Sequence, residues 1–343
     1  MAPVRGRGTG SNPPNRFYRR SVVPDPEEPL PRTQFIKDSA RTIIAHNDSP
    51  DIGFDASINP YRGCEHGCVY CYARPYHEFL GFSAGIDFET KILVKEEAPK
   101  LLREELSSPK WKPQIIAMSG VTDCYQPAER KFRLTQGCLE VLTEFRNPVI
   151  VITKNHLVTR DLDLLAELAR HGAAGVAVSI TTLDSDLARH MEPRTSTPAR
   201  RLAAIEALAA AGVPVGVNVA PIIPGLTDSE VPAILKAAAK AGASFAGHTI
   251  VRLPYAVKDI FETWLEEHFP DRKQKVMNRI RGVRDGGLND PRFGSRMTGE
   301  GVYAEQIGAL FELSRKKAGF PAGHPELSAA AFRVPPGPQL TLF

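Results

Sequence analysis

From about residue 55 onward, apolar residues along the chain fall into two alternating rhythms. Short runs rich in Val, Ile and Ala at residues 56–59, 114–118, 149–153, 175–180, 215–220 and 247–252 predict six strands. Between the later ones, residues 134–145, 162–171, 198–211 and 229–241 carry apolar side chains at three- and four-residue spacing and predict crossover helices. Three of these stop at Gly172, Gly212 and Gly242, as helices do where the chain must turn left-handed. Thr197 followed by Pro198 reads as an N-cap with Pro in the first helical turn, and Asp228 as the cap of the next crossover. Strand and helix alternate with no visible reversal. This predicts an α/β fold of the partial (βα)6 barrel type in preference to a short doubly wound sheet, with any chemistry at the C-terminal ends of the strands.

The flanks have no such rhythm at first. Residues 1–50 form a Pro- and Gly-rich segment read as a mobile or loosely docked basic arm, residues 51–255 form the barrel core, residues 256–320 a basic extension with helices predicted at 257–269, 272–284 and 302–319, and residues 321–343 a tail. Composition adds only bounds. With 42% apolar and 24% charged residues the chain is an ordinary folded one, and its apolar runs are broken too early to span a bilayer. The first residues lack the apolar core of a secretory signal, so a reducing cytoplasm and free thiols are expected. Net charge is +4, but residues 1–23 and 271–297 each carry +5, leaving −6 on the remainder. Two basic segments of this kind can neutralise nucleic-acid phosphates, or can simply be solvated.

The five cysteines change the picture more. Cys64, Cys68 and Cys71 fall in C-x3-C-x2-C just after the first strand, while Cys124 and Cys138 stand apart. Three soft thiolates this close can wrap one soft metal centre, and three ligands to a four-iron cube leave one iron open. Gly63 and Gly67 would let the backbone wrap closely. A zinc site completed by His66 or His77 is the alternative, although zinc usually takes ligands in two pairs and no second Cys pair exists. All five cysteines precede residue 139, so a second complete iron–sulfur site is not expected.

This spacing, with Tyr70 immediately before the third Cys, resembles the radical S-adenosylmethionine (SAM) superfamily, and over residues 55–255 the chain looks closest to its spore-photoproduct-lyase-like subgroup. The resemblance implies a [4Fe-4S] cluster on Cys64, Cys68 and Cys71, with SAM on the open iron and Tyr70 near the adenine. It further implies that Thr122 and Asp123 hold the SAM amino group, that Lys154 contacts SAM, that Ser179 meets the ribose, that Arg194 forks onto the carboxylate and that Asn218 lines the adenine. Cys124, beside Asp123, would be placed to donate hydrogen to a substrate radical. Blander readings stand beside each of these: turn and cap for Thr122 and Asp123, a solvated Lys154, a backbone-bonded Ser179, an Arg194–Glu192 ion pair, and core packing for Cys124 and Cys138.

What the resemblance implies overall is an enzyme that reductively cleaves SAM, fed by an electron donor such as flavodoxin or ferredoxin, and abstracts hydrogen from a substrate. Nucleic acid, in lyase, repair or modification chemistry, is the substrate class that the basic segments and the interleaved Phe17, Tyr18 and Phe293 bring into view. The competing reading is a nonenzymatic iron–sulfur protein that binds nucleic acid and whose cluster is structural.

Overall fold

The computed structural model describes residues 6–18 and 32–336. Its ten strands are β1 (Gln34–Lys37), β2 (Ile44–His46), β3 (Ala56–Ile58), β4 (Tyr61–Arg62), β5 (Lys91–Val94), β6 (Ile116–Met118), β7 (Val149–Thr153), β8 (Ala174–Ser179), β9 (Val215–Ile222) and β10 (Phe245–Ile250). β3 and β6 to β10 are parallel and follow one another in chain order across a single sheet, with β2 antiparallel on the outer edge of β3. No strand order reverses, which removes the doubly wound alternative. The sheet is open among the described residues, since β10 and β2 form its two edges.

The strands form where the rhythm placed them because parallel strands covered on both faces are apolar throughout. All six residues of β8 are buried, and Val149 and Val151 of β7 pair in register with Ala174 and Val176. The crossover helices Leu134–Phe145, Leu162–Arg170, Pro198–Ala210 and Val231–Lys240 supply the outer layer, each presenting one apolar stripe to the sheet. Thr197 caps its helix by accepting from the Arg200 amide at 3.4 Å. Asp228 does not cap the α-helix that follows. It opens a 3-10 turn, and its carboxylate accepts from the amides of Gly225 and Ser229 at 3.0 and 3.1 Å, closing the loop after β9.

The small sheet β1–β5–β4, the helix Ala98–Ser107 and the 3-10 helix Arg74–Leu80 went unread in the sequence. Strands of two to four residues carry no period of their own. The extension folds as helices Val257–His268, Pro270–Gly282 and Val302–Lys317. Phe261, Trp264, Leu265, Val276, Met277 and Ile280 from the first two pack on Val69, Tyr70, Leu187, Met191 and Ile223, so these helices roof the cysteine loop. Each such side chain contributes about 1.5–3 kcal/mol on full burial.

The flanking segments dock where they are described. Arg7 donates to the Glu89 carbonyl at 2.8 Å and to Thr33 at 2.9 Å, Ile86 donates to the Ser11 carbonyl at 3.0 Å, and Asn15 bonds the carbonyls of Glu78 and Phe82. The charge of Arg7 and of Arg16, which pairs with Glu78 at 3.0 Å, is thus engaged within the chain. Arg5, Arg19 and Arg20 lie outside the described residues. Residues 321–336 run back beneath the sheet, where Ser328 and Arg333 donate to the carbonyls of Gly172 and Phe145, both at 2.9 Å.

Candidate active site

At the C-terminal ends of the parallel strands lies a cavity of about 300 Å³. Cys64, Cys68 and Cys71 share its wall with Tyr70, Thr122, Asp123, Lys154, Ser179 and Asn218, so nine of the eleven residues singled out above are brought together from five separate segments. Gly63 and Gly67 take φ of +79° and +69°, and a Cβ on Gly67 would lie 2.7 Å from the Glu89 carboxylate. The loop can wrap this tightly only with glycine there. All three thiols are unpaired, and burial is the main force pushing each above its ordinary value. No three His, Cys, Asp or Glu side chains among the described residues converge to hold a single ion. The thiols are spread around one cavity instead.

The polar wall divides into groups that are spent and groups that are open. Asn59 accepts from the amides of Val121 and Thr122 at 2.9 and 3.2 Å, and Thr122 donates its hydroxyl to the Tyr61 carbonyl at 2.9 Å, so Thr122 shapes the turn. Asp123 accepts from the Thr153 hydroxyl at 2.8 Å, the Tyr125 amide at 2.9 Å and the Lys154 amide at 2.7 Å, with His66 at 3.4 Å. Burial opposes its charge, yet His66 and the amides hold its carboxyl below the usual range. Lys154 donates to the Ala220 carbonyl at 2.7 Å, 3.8 Å from Glu192 and above the Tyr70 ring. It faces the cavity; it is not a solvated side chain. The Ser179 hydroxyl and the Asn218 amide have no hydrogen-bond partner among the described residues. Both residues line the cavity, so these two groups are open to a ligand there.

Two of the eleven residues lie elsewhere. Arg194 is not on the cavity wall, and it pairs with Glu65 at 3.0 Å and not with Glu192. Cys124 is fully buried in the main core and absent from the cavity wall, its backbone amide tied to Ser119 at 2.8 Å. Cys138 packs in the same core, as its place on the helix stripe indicates.

Residues 58–238 match the family model of the radical SAM superfamily. The chain belongs to that superfamily. A protein of Mycobacterium tuberculosis known as uncharacterised is 36% identical over 293 residues, spanning 84% of this chain and 82% of its own, and one of Methanocaldococcus jannaschii is 27% identical over 248 residues, 72% of this chain and 88% of its own. Among solved structures, spore photoproduct lyase complexed with dinucleoside spore photoproduct superimposes with a TM-score of 0.59 at 17% identity, covering 83% of this chain and 79% of that one. At that identity the likeness is one of fold.

Membership in the radical SAM superfamily makes this chain an enzyme and directs attention to what supports its cysteine loop. Two buried ion pairs do so, and neither was legible in the sequence. Arg74 donates to the Cys68 carbonyl at 3.0 Å and to Glu89 at 2.6 Å, both side chains fully buried. Glu192 accepts from Tyr70 and Arg201, and from Thr181 at 2.7 Å. Burial works against its charge, but Arg201 and Lys154 pull the Glu192 carboxyl down to about 2. Tyr70 is therefore fixed at its hydroxyl and presents its ring. Ser119, with φ of +86° at the end of β6, is a strained non-glycine position on the cavity wall.

Proposed function

We infer that this radical SAM enzyme holds a [4Fe-4S] cluster on Cys64, Cys68 and Cys71 and binds SAM in the adjoining cavity. The observation that carries the reading is that three unpaired thiols share one cavity, at the C-terminal strand ends, with the unpartnered side chains of Ser179 and Asn218. Such a donor set fits a thiolate-ligated cluster, whose binding would deprotonate thiols that burial now keeps protonated. When bound, the cluster would supply the electron that splits SAM to methionine and a 5′-deoxyadenosyl radical able to take hydrogen from a substrate.

The chain's own residues do the rest. Tyr70, locked by Glu192 and Thr181, offers a flat apolar face beside the thiols. Asp123 holds the β6 and β7 loops together through Thr153 and the Lys154 amide. Lys154 adds positive charge to the wall, while Ser179 and Asn218 offer hydrogen bonds to a polar ligand. Ile52, Phe54, Val121, Ile152 and Met297 make much of the remaining lining apolar, a surface that would favour a dry space around a reactive carbon.

For the substrate we favour nucleic acid. Arg252 on the cavity wall stacks 4.8 Å above Tyr72, which is 39% exposed, and Arg16 lies 4.0 Å above Tyr255, which is 63% exposed. Exposed rings backed by arginines suit base stacking. The solved spore photoproduct lyase with its dinucleoside supports the same class.

Anaerobic reconstitution with iron and sulfide, addition of a reductant such as reduced flavodoxin and of SAM, and quantification of 5′-deoxyadenosine for native protein and Cys71→Ala test the reading. Product only with Cys71 intact is expected. No product despite a complete, reducible cluster would favour a structural cluster. Binding of a single-stranded oligonucleotide, weakened in Tyr255→Ala, tests the substrate class.

A further inference from the structure

A second cleft, of about 520 Å³, opens between the helix Pro270–Gly282, the helix Val302–Lys317 and the loop after β9, and it shares no lining residue with the cavity at the cysteines. One wall is cationic. Arg272, Lys275 and Arg279 recur at three- and four-residue spacing and so lie along one face of their helix, over about 10 Å. The opposite wall brings Tyr303, Ile307 and Leu310, with Leu226 from the loop.

The charges are not matched. Asp228 is the acid on the wall, and it is already saturated: it accepts from the amides of Gly225 and Ser229 and from the Tyr303 hydroxyl, with Arg279 at 3.7 Å. Arg272 and Lys275 have no carboxylate within 4 Å among the described residues. Lys273, on the other side of the same helix, shows what pairing looks like there, since it meets both Glu262 and Glu266. The loop is shaped to the arginine. Gly225 has φ of +80°, and a Cβ on it would stand 2.9 Å from Cδ of Arg279. Arg279 in turn covers one face of the Tyr303 ring at 4.6 Å, leaving an aromatic and aliphatic floor beside two free cations.

We propose that this cleft is a binding site for a phosphate ester of nucleotide size, its phosphate held by Arg272 and Lys275 and its ring laid on Tyr303, Ile307 and Leu310. Tyr303 is a neutral phenol, its hydroxyl pushed up to about 12 by burial and by Asp228, so it adds no competing negative charge. The site does not depend on cluster chemistry. It is joined to the cavity by β9 and the loop that follows it, since Asn218 and Ala220 of β9 line the cavity and Gly225 of the loop lines the cleft. The phosphate can come from a free nucleotide or from a polynucleotide backbone.

Calorimetric titration of the full chain with AMP, inorganic phosphate and a single-stranded oligonucleotide, for native protein and Arg272→Ala/Lys275→Ala, separates the sources. Both side chains are exposed, so the double variant should keep its fold, checked by its melting curve. A free nucleotide gives AMP binding that drops at least tenfold in the double variant, with oligonucleotide binding unchanged. A backbone phosphate gives an oligonucleotide salt slope shallower by about 1.4 for two lost contacts, with AMP competing. Affinities and slopes identical in the two proteins, or no binding of any of the three probes, overturn the proposal.

Discussion

Replacing Glu89 by Gln tests the argument that the cysteine loop is held from outside by a buried ion pair. Glu89 accepts from Arg74 at 2.6 Å and from the Gly8 amide at 3.0 Å, and Arg74 also bonds the carbonyls of Cys68, Ala84 and Gly85 at 3.0 to 3.2 Å. The arm fits this spot closely, for a Cβ on Gly8 would fall 1.7 Å from the Gly67 carbonyl oxygen. Burial pushes the Glu89 carboxyl up despite Arg74, so the pair adds little net stability, but removing one partner strands a buried guanidinium. That costs about 3–5 kcal/mol. Spread over a 343-residue chain at about 2.1 cal/mol/K per residue, the melting point should fall by about 4–7 °C. If the loss is confined to the loop, its opening rises by about 10² to 10⁴, since 1.4 kcal/mol is tenfold. Iron release to a chelator, followed by absorbance of the reconstituted protein, reads that opening directly. Glu96→Gln is the comparator, because Glu96 meets Lys37 at 3.4 Å on an exposed surface where such pairs contribute about 0–1 kcal/mol. Equal melting and equal iron release in the two variants would refute the reasoning.

Three further outcomes follow from the geometry. Burial lowers His77 to about 4, so the fold prefers the neutral ring that bonds the Lys91 carbonyl; its stabilisation is complete above the unfolded value of 6.5 and is lost as pH falls from there towards 4, by about 3 kcal/mol in all. Urea unfolding between pH 7.5 and 4.5 should be flatter for His77→Gln than for native protein, and parallel curves would remove His77 as the cause. Ser179→Ala and Asn218→Ala should each weaken SAM binding about 2- to 12-fold by equilibrium dialysis without moving the melting point, one hydrogen bond being about 0.5–1.5 kcal/mol; unchanged affinity would mean that neither reaches SAM. Cys124→Ala should destabilise by about 1–2 kcal/mol, as core truncations do, and leave 5′-deoxyadenosine yield intact, whereas loss of turnover in a folded variant would return that thiol to the chemistry.

What could be read in the sequence was whatever repeats or clusters. The parallel strands declared themselves because burial on both faces demands apolar runs, and the helix Leu134–Phe145 because one stripe must face the sheet. The three cysteines and Tyr70 were legible because soft-metal chemistry needs those groups at short spacing. The supports were not legible, because their partners are distant in sequence: Glu89 lies 15 residues from Arg74 and Tyr70 lies 122 from Glu192. Arg194 misled for the same reason. An Arg two residues after Glu192 invites a local pair, but the fold gives Glu192 to Arg201 and turns Arg194 back onto Glu65.

Charge on the cavity wall then leads to a last expectation. Lys154 lies 3.8 Å from Glu192, a carboxylate it shares with Arg201, and Arg296 is balanced by Asp51 through contacts of 2.5 and 2.8 Å. Arg252 has no carboxylate within 4 Å among the described residues; burial pulls its pKa down, and its plane rests on Tyr72. A half-buried guanidinium kept without a counter-ion, at the end of the last strand and on the wall of the cavity, is placed for an anionic group that enters from outside. A charge-assisted hydrogen bond contributes about 1.5–3 kcal/mol, so Arg252→Ala should weaken binding of that anion about 10- to 150-fold, while Arg252→Lys, which keeps charge but not the fork, should recover part of it. Measuring SAM and oligonucleotide binding separately identifies the anion. If SAM suffers, the arginine meets its carboxylate; if the oligonucleotide suffers, it meets a phosphate. Should both affinities stay unchanged, the uncompensated charge serves no ligand and the cavity takes a neutral group at this edge.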